Sequence, residues 1–139
     1  MFKNILVPTD LSGKSVKALE IAANLAENDD SRVTLLHVVE TIEDDDGEEF
    51  RSFYEKLMLR AQNKMEKMTR KYISSPFVLE HEIICGKRVK EIVRFASDNG
   101  TDLIILSSHK LDNIDAAEGW ATISYRVGIL STCPVLMVK

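Results

Sequence analysis

The feature that most constrains this chain is a series of short apolar runs alternating with longer segments of helical periodicity. Ile5-Leu6-Val7 and Leu103-Ile104-Ile105-Leu106 are apolar at every position. Such a strand is stable only when both of its faces are covered, as in a parallel sheet flanked by helices. Val33-Thr34-Leu35-Leu36-His37-Val38-Val39 reads as a second strand, and Pro134-Val135-Leu136-Met137-Val138 as the last. Phe77 to Ile84 is different. Val78, Glu80, Glu82 and Ile84 alternate with Phe77, Leu79, His81 and Ile83, the pattern of a partly wetted strand near an edge.

Helical patterns separate these runs. Val16, Ala18, Leu19, Ala22, Ala23 and Leu25 recur at helical spacing, with Ser12 placed to cap that helix. From Glu49 to about Tyr72, Phe50, Phe53, Leu57, Ala61, Met65 and Met68 share one face of a long amphipathic helix, whose Lys64, Lys67, Arg70 and Lys71 read as solvated. Val89, Ile92, Val93 and Ala96 mark a third helix, stopped by Asn99-Gly100, and a weaker fourth runs from about Ala116 to Leu130. The order β-α-β-α-β-α-β-α-β with right-handed crossovers makes residues 1–139 a single α/β domain. Its fold class is an open, doubly wound five-stranded parallel sheet with helices on both faces. Ligands of such sheets bind beyond the carboxyl ends of the strands, so the loops to search follow Val7, Val38 and Leu106.

Composition narrows the function classes. The formal net charge of −4 opposes the broad positive footprint of a nucleic-acid binder, so no nucleic-acid partner is expected. The N-terminal apolar run is too short for a signal peptide, and no stretch approaches the roughly 20 apolar residues that span a bilayer. A cytoplasmic protein without a membrane partner is the expectation. Cys85 and Cys133 lie far apart and make no redox or metal pair. The acidic stretch Glu43-Asp44-Asp45-Asp46-Gly47-Glu48-Glu49 lacks the alternating ligand spacing of a calcium loop, and no metal site is expected.

Candidate chemistry sits on the loops. Asp10, in Pro8-Thr9-Asp10-Leu11-Ser12, offers a carboxylate to a ribose or base, or else closes a local turn. His37 lies inside a strand, where a lone histidine is more often structural. Ser107, His109 and Asp112 could be drawn as a triad, but three neighbours on one loop seldom converge. There is no Walker lysine motif and no G-x-G-x-x-G. No catalytic residue is expected.

Four segments together carry a resemblance. They are Lys3-Asn4-Ile5-Leu6-Val7-Pro8-Thr9-Asp10-Leu11-Ser12, Leu35-Leu36-His37-Val38, Gly100-Thr101-Asp102-Leu103-Ile104-Ile105-Leu106 and Cys133-Pro134-Val135-Leu136-Met137-Val138. In this order and spacing they resemble the universal stress protein (UspA) family along the whole chain. The resemblance implies strand order 3-2-1-4-5, cytoplasmic residence, stress-linked roles and a homodimer, with unknown protein partners. Pro134, Val135, Leu136, Met137 and Val138 form the expected dimer edge, because an exposed apolar edge invites strand pairing.

The family has an ATP-binding branch and one that does not bind ATP. In the first, by position, Pro8, Thr9, Asp10 and Val38 would meet the nucleotide. The phosphate loop, written G-x-x-G, nine residues, then G-S or G-T, is altered here. Ser107-Ser108-His109-Lys110 replaces its opening, and Ala121-Thr122 its close, with one more intervening residue. All three glycines are replaced, Gly119 lies two residues early, and Trp120 adds bulk. Without glycine, backbone N–H groups cannot approach phosphate oxygens as closely. The resemblance therefore implies a non-catalytic stress protein with a degraded phosphate loop and no firm cofactor. The alternative is an adenine-nucleotide sensor holding ATP or AMP with Lys110 and Thr122 at the phosphates. Lys87 and Arg88, after Gly86, also sit at a helix N-terminus that could attract phosphate. Slow ATP hydrolysis would need Asp112 or Asp115 near a metal.

Overall fold

The computed structural model describes residues 2–26, 30–41, 48–108 and 120–139. Its strands are β1 (Asn4–Pro8), β2 (Arg32–Glu40), β3 (Val78–Gly86), β4 (Leu103–Ser107) and β5 (Val135–Val138). Its helices are α1 (Ser15–Leu25), α2 (Glu48–Thr69), α3 (Arg88–Asp98) and α4 (Trp120–Leu130), with a short 3-10 turn at Arg70–Tyr72. The strands form one all-parallel sheet in the order β3-β2-β1-β4-β5.

The all-apolar strands lie where both faces are covered. β1 and β4 sit inside the sheet, and successive residues alternate between two separate cores. Ile5, Val7, Val33, Leu35, Leu103 and Ile105 pack with Ala18, Leu19 and Ala22 of α1 and Met65 of α2. Leu6, Leu36, Val38, Ile104 and Leu106 pack on the opposite face with Val89, Ile92 and Ala96 of α3 and Ile123 and Val127 of α4. Each buried Leu or Ile contributes about 1.5–3 kcal/mol, so neither helical layer is dispensable. β3 is an edge strand, and its inward and outward residues alternate in burial as its sequence predicts.

Local chemistry sets the ends of the elements. The Asp102 carboxylate accepts the backbone N–H groups of Lys3 (2.9 Å) and Asn4 (3.1 Å), fastening the start of β1 beside β4. α3 stops at Asn99-Gly100, as expected. Gly100 takes φ +64°, and the Thr101 N–H reaches back to the Ala96 carbonyl at 2.9 Å.

Two local expectations fail. Ser12 does not cap α1: the helix begins at Ser15, Lys14 occupies the N-cap position, and the Ser12 hydroxyl is buried without a hydrogen-bond partner. Phe50 and Phe53 lie on the periodic face of α2 yet are exposed. The reason is overshoot. Leu57 lines the cleft at the carboxyl end of β2, and Phe53 and Phe50 lie about one and two helical turns further toward the N-terminus of α2.

Candidate functional site

The chain turns sharply where β1 ends, and its own side chains hold the turn. Thr9 Oγ1 accepts the Leu11 N–H at 2.9 Å, and Asp10 Oδ1 accepts the Ser12 N–H at 2.9 Å. Asp10 Oδ1 also accepts the hydroxyl of Ser15, fully buried in the first turn of α1, at 3.1 Å. Leu11 is held at φ 68°, a left-handed conformation that costs a branched side chain about 1–2 kcal/mol. Two consecutive side-chain turns and the packing of Leu11 against the α1-side core hold it there. Asp10 therefore serves the turn that the sequence allowed for, while remaining on the wall of the crevice.

β2 supplies the next wall. His37 Nδ1 lies 2.9 Å from the Thr9 carbonyl oxygen, which can only accept. The proton is thus on Nδ1, and Nε2 of the neutral ring keeps its lone pair. Burial lowers the pKa of His37 below the usual histidine value. The Thr9 carbonyl opposes that shift, Arg88 adds to it, Asp10 opposes it and Lys64 adds to it.

These groups border a cleft of 350 Å3 at the carboxyl end of β2. Asp10, His37, Val38 and Glu40 form its floor and sides; Leu57, Arg60, Ala61 and Lys64 of α2 and Arg88 of α3 close it. Asp10 and Val38, singled out in the sequence, are brought together here. Pro8 ends β1 directly beneath, and Thr9 is buried with its N–H on the Leu36 carbonyl at 2.8 Å. Arg60 and Lys64 line the cleft; the sequence pattern singles out Lys64 only as part of a solvated face and does not single out Arg60. Their spacing of one helical turn was the available signal.

Across the sheet, β4 ends at Ser107, the position where the resemblance would put the first glycine of the phosphate loop. Ser107 is buried at 3% exposure; its carbonyl accepts the Ser124 hydroxyl of α4 at 2.9 Å, and its own hydroxyl has no partner. Among the described residues, buried hydroxyls without a partner thus stand at Ser12, in the loop after β1, and at Ser107, the last residue of the neighbouring β4. Lys110, His109, Asp112, Asp115 and Gly119 lie outside the described residues, and Thr122 falls in α4 with its side chain outside them.

Elsewhere, two grooves of 560 and 480 Å3 run between α2 and the open edge of β3 and share His81. Among the described residues no cluster of His, Cys, Asp or Glu is placed to hold a metal, and no helix is long and apolar enough to cross a membrane. At the other end of the sheet, Tyr125, Ile129 and Leu130 of α4 and Leu136 and Met137 of β5 are each exposed.

A 3-2-1-4-5 parallel sheet, helices on both faces and a crevice beyond the ends of β1 and β2 define a doubly wound domain of the kind that receives small ligands at its switch point. The chain belongs to the universal stress protein family, whose sequence model matches residues 1–139. The universal stress protein MJ0577 of Methanocaldococcus jannaschii is 31% identical over 156 residues, spanning 100% of this chain and 96% of the relative. Its solved structure superposes with a TM-score of 0.84 at 34% identity, over 100% of this chain and 96% of that one. Universal stress protein YxiE of Bacillus subtilis is 29% identical over 153 residues, the whole of both chains. A more distant universal stress protein solved in complex with cAMP, 18% identical with a TM-score of 0.68 over 99% of this chain and 97% of that one, shares the fold.

Proposed function

We propose that this member of the family is a non-catalytic stress protein that works as a homodimer through protein contacts, with a phosphate loop no longer fitted to ATP. The observation that carries the reading is the apolar row on the β5 edge. Leu136 and Met137 are each 40% exposed on opposite faces of β5, Met137 on the face that α4 covers. An open strand flanked by such side chains gains by pairing with its symmetry mate, with Pro134 entering the strand and Val135 and Val138 supporting it from the core side. Sedimentation velocity at micromolar concentration tests this: a dimer is expected, and monomer alone overturns it.

The loss of ATP follows from residue chemistry. Ser107 brings a Cβ and hydroxyl to a position where the family's phosphate loop uses glycine, and Lys110 and Ala121 do the same at the other two. With no catalytic group assigned, the protein is expected to leave ATP intact. The cytoplasm is the compartment this reading requires.

A second reading has a specific observation behind it. The crevice keeps Asp10 and Val38 together on the wall of a formed cleft at the carboxyl end of β2. In this reading the protein is an adenine-nucleotide sensor that takes ATP or AMP, with Pro8, Thr9, Asp10 and Val38 at the nucleoside and Lys110 and Thr122 at the phosphates. Calorimetry with ATP, AMP and adenosine decides it, since heat from none of them removes the sensor.

A further inference from the structure

The cleft at the end of β2 carries more positive charge than a nucleoside pocket needs. Arg60 and Lys64, one turn apart on α2, line it together with Arg88 from the first position of α3. Two acids share the cleft, and both are occupied. Glu40 faces Arg88 at 3.8 Å, and Asp10 Oδ1 holds the turn through Ser12 and Ser15. Arg60 and Lys64 make no ion pair with a described residue.

Lys56, Arg60, Lys64 and Lys67 follow one another at helical spacing along the same stripe of α2. Like charges at i,i+4 oppose helix stability, so the stripe is not explained by folding. In a chain with net charge −4, this concentration of cations is local. The N-terminus of α3 adds its partial positive charge at Arg88, and His37 lines the same space.

We infer that this cleft is an anion site, in which Arg60, Lys64 and Arg88 hold a phosphoryl group on the β2 side of the crevice. It is separate from the loop after β4, where the family resemblance would put phosphates. Arg88 shares its guanidinium between Glu40 and the anion. Arg60 offers a planar donor fork, Lys64 a mobile ammonium, and His37 a further donor once Nε2 is protonated. Among the described residues, the charged groups facing His37 are Asp10 from the β1 loop, Glu40 from β2, Arg60 and Lys64 from α2 and Arg88 from α3. An anion among them favours the imidazolium, so binding raises the His37 pKa.

The phosphoryl group could arrive as free phosphate or on a nucleotide, and one experiment separates the two. The His37 ring is titrated by NMR in the full chain, alone and with inorganic phosphate, AMP or adenosine. Saturable binding that raises the His37 pKa is expected with AMP, with phosphate, or with both. Phosphate alone being sufficient identifies the free anion, and a response to AMP only identifies the nucleotide. The double variant Arg60→Gln/Lys64→Gln should weaken that binding at least tenfold. The charge-matched Lys17→Gln/Lys90→Gln variant, on α1 and α3 outside the cleft, should not. Both pairs are exposed, and an unchanged urea midpoint certifies the fold. No movement of His37 with either anion, or undiminished binding in the Arg60/Lys64 variant, overturns the site. A response to adenosine without any response to phosphate or AMP beyond it would reject the anion site while leaving the nucleoside reading intact.

Discussion

Replacing Asp10 separates its service to the turn from any service to a ligand. In Asp10→Ala the Ser12 N–H loses an ionised acceptor, a bond worth about 1.5–3 kcal/mol. The Ser15 hydroxyl, fully buried beneath it, is left unpaired at a cost of about 1–3 kcal/mol. The two losses share one oxygen and one turn, so they do not add fully, and the net destabilisation should be about 2–4 kcal/mol. Asp10→Asn keeps a carbonyl oxygen at the Oδ1 position and should cost about 1 kcal/mol or less. Urea unfolding measures both. With an m-value of about 2 kcal/mol/M, the alanine variant's midpoint should fall by about 1–2 M at unchanged m. A double-mutant cycle with Ser15→Ala should return a coupling of about 1 kcal/mol. Alanine and asparagine variants equal to each other, and both within about 0.5 kcal/mol of wild type, would refute the claim that this carboxylate builds the turn.

Other consequences follow from the same geometry. Because burial holds the folded pKa of His37 below its unfolded value, the unfolded chain takes up the proton first as pH falls. Its contribution is therefore present above the ordinary histidine pKa near 6.5 and lost as pH drops through that value toward the folded pKa. His37→Gln, whose amide can still donate to Thr9, should flatten the stability–pH slope over that range, and equal slopes would refute the assignment. Gly86 sits at φ +151°, where a Cβ would lie 2.7 Å from Glu91 Cγ. Gly86→Ala should cost about 1–3 kcal/mol in thermal or urea unfolding. Adding Glu91→Ala should recover the part due to overlap but not the backbone strain, and a neutral Gly86→Ala would contradict the placement of that turn.

What the sequence disclosed depended on the range of the interaction. Unbroken apolar runs at Ile5–Val7 and Leu103–Leu106 reveal strands covered on both faces, and alternation from Phe77 to Ile84 reveals an edge, because burial acts on each residue separately. Strand order is set by long-range pairing, which no local pattern contains, and it was legible only through the family resemblance. The start of α1 was misread at Ser12. A serine can cap a helix, but here the Asp10 carboxylate captures the Ser12 N–H and reaches Ser15, moving the first helical turn onward. Phe50 and Phe53 have the right period but stand beyond the end of the sheet, and periodicity alone does not report where the packing partner stops. Asp10 and Val38 could be placed on one crevice from topology. Arg60 and Lys64 of α2 could not be joined to Arg88 of α3, because the two helices meet only in the folded chain.

Sedimentation equilibrium of the wild type beside Leu136→Lys tests the proposed dimer joined along β5. Leu136 is 40% exposed and pairs with Ile105 across β4, so a lysine there can reach solvent in the monomer without disturbing the core. In the dimer its ammonium would face its symmetry mate or be desolvated, which should weaken association at least tenfold, about 1.4 kcal/mol. A wild-type dimer at micromolar concentration, with the variant dissociating at unchanged urea midpoint, is the predicted result. A wild type that is monomeric there, or a variant that dimerises as tightly, would contradict it.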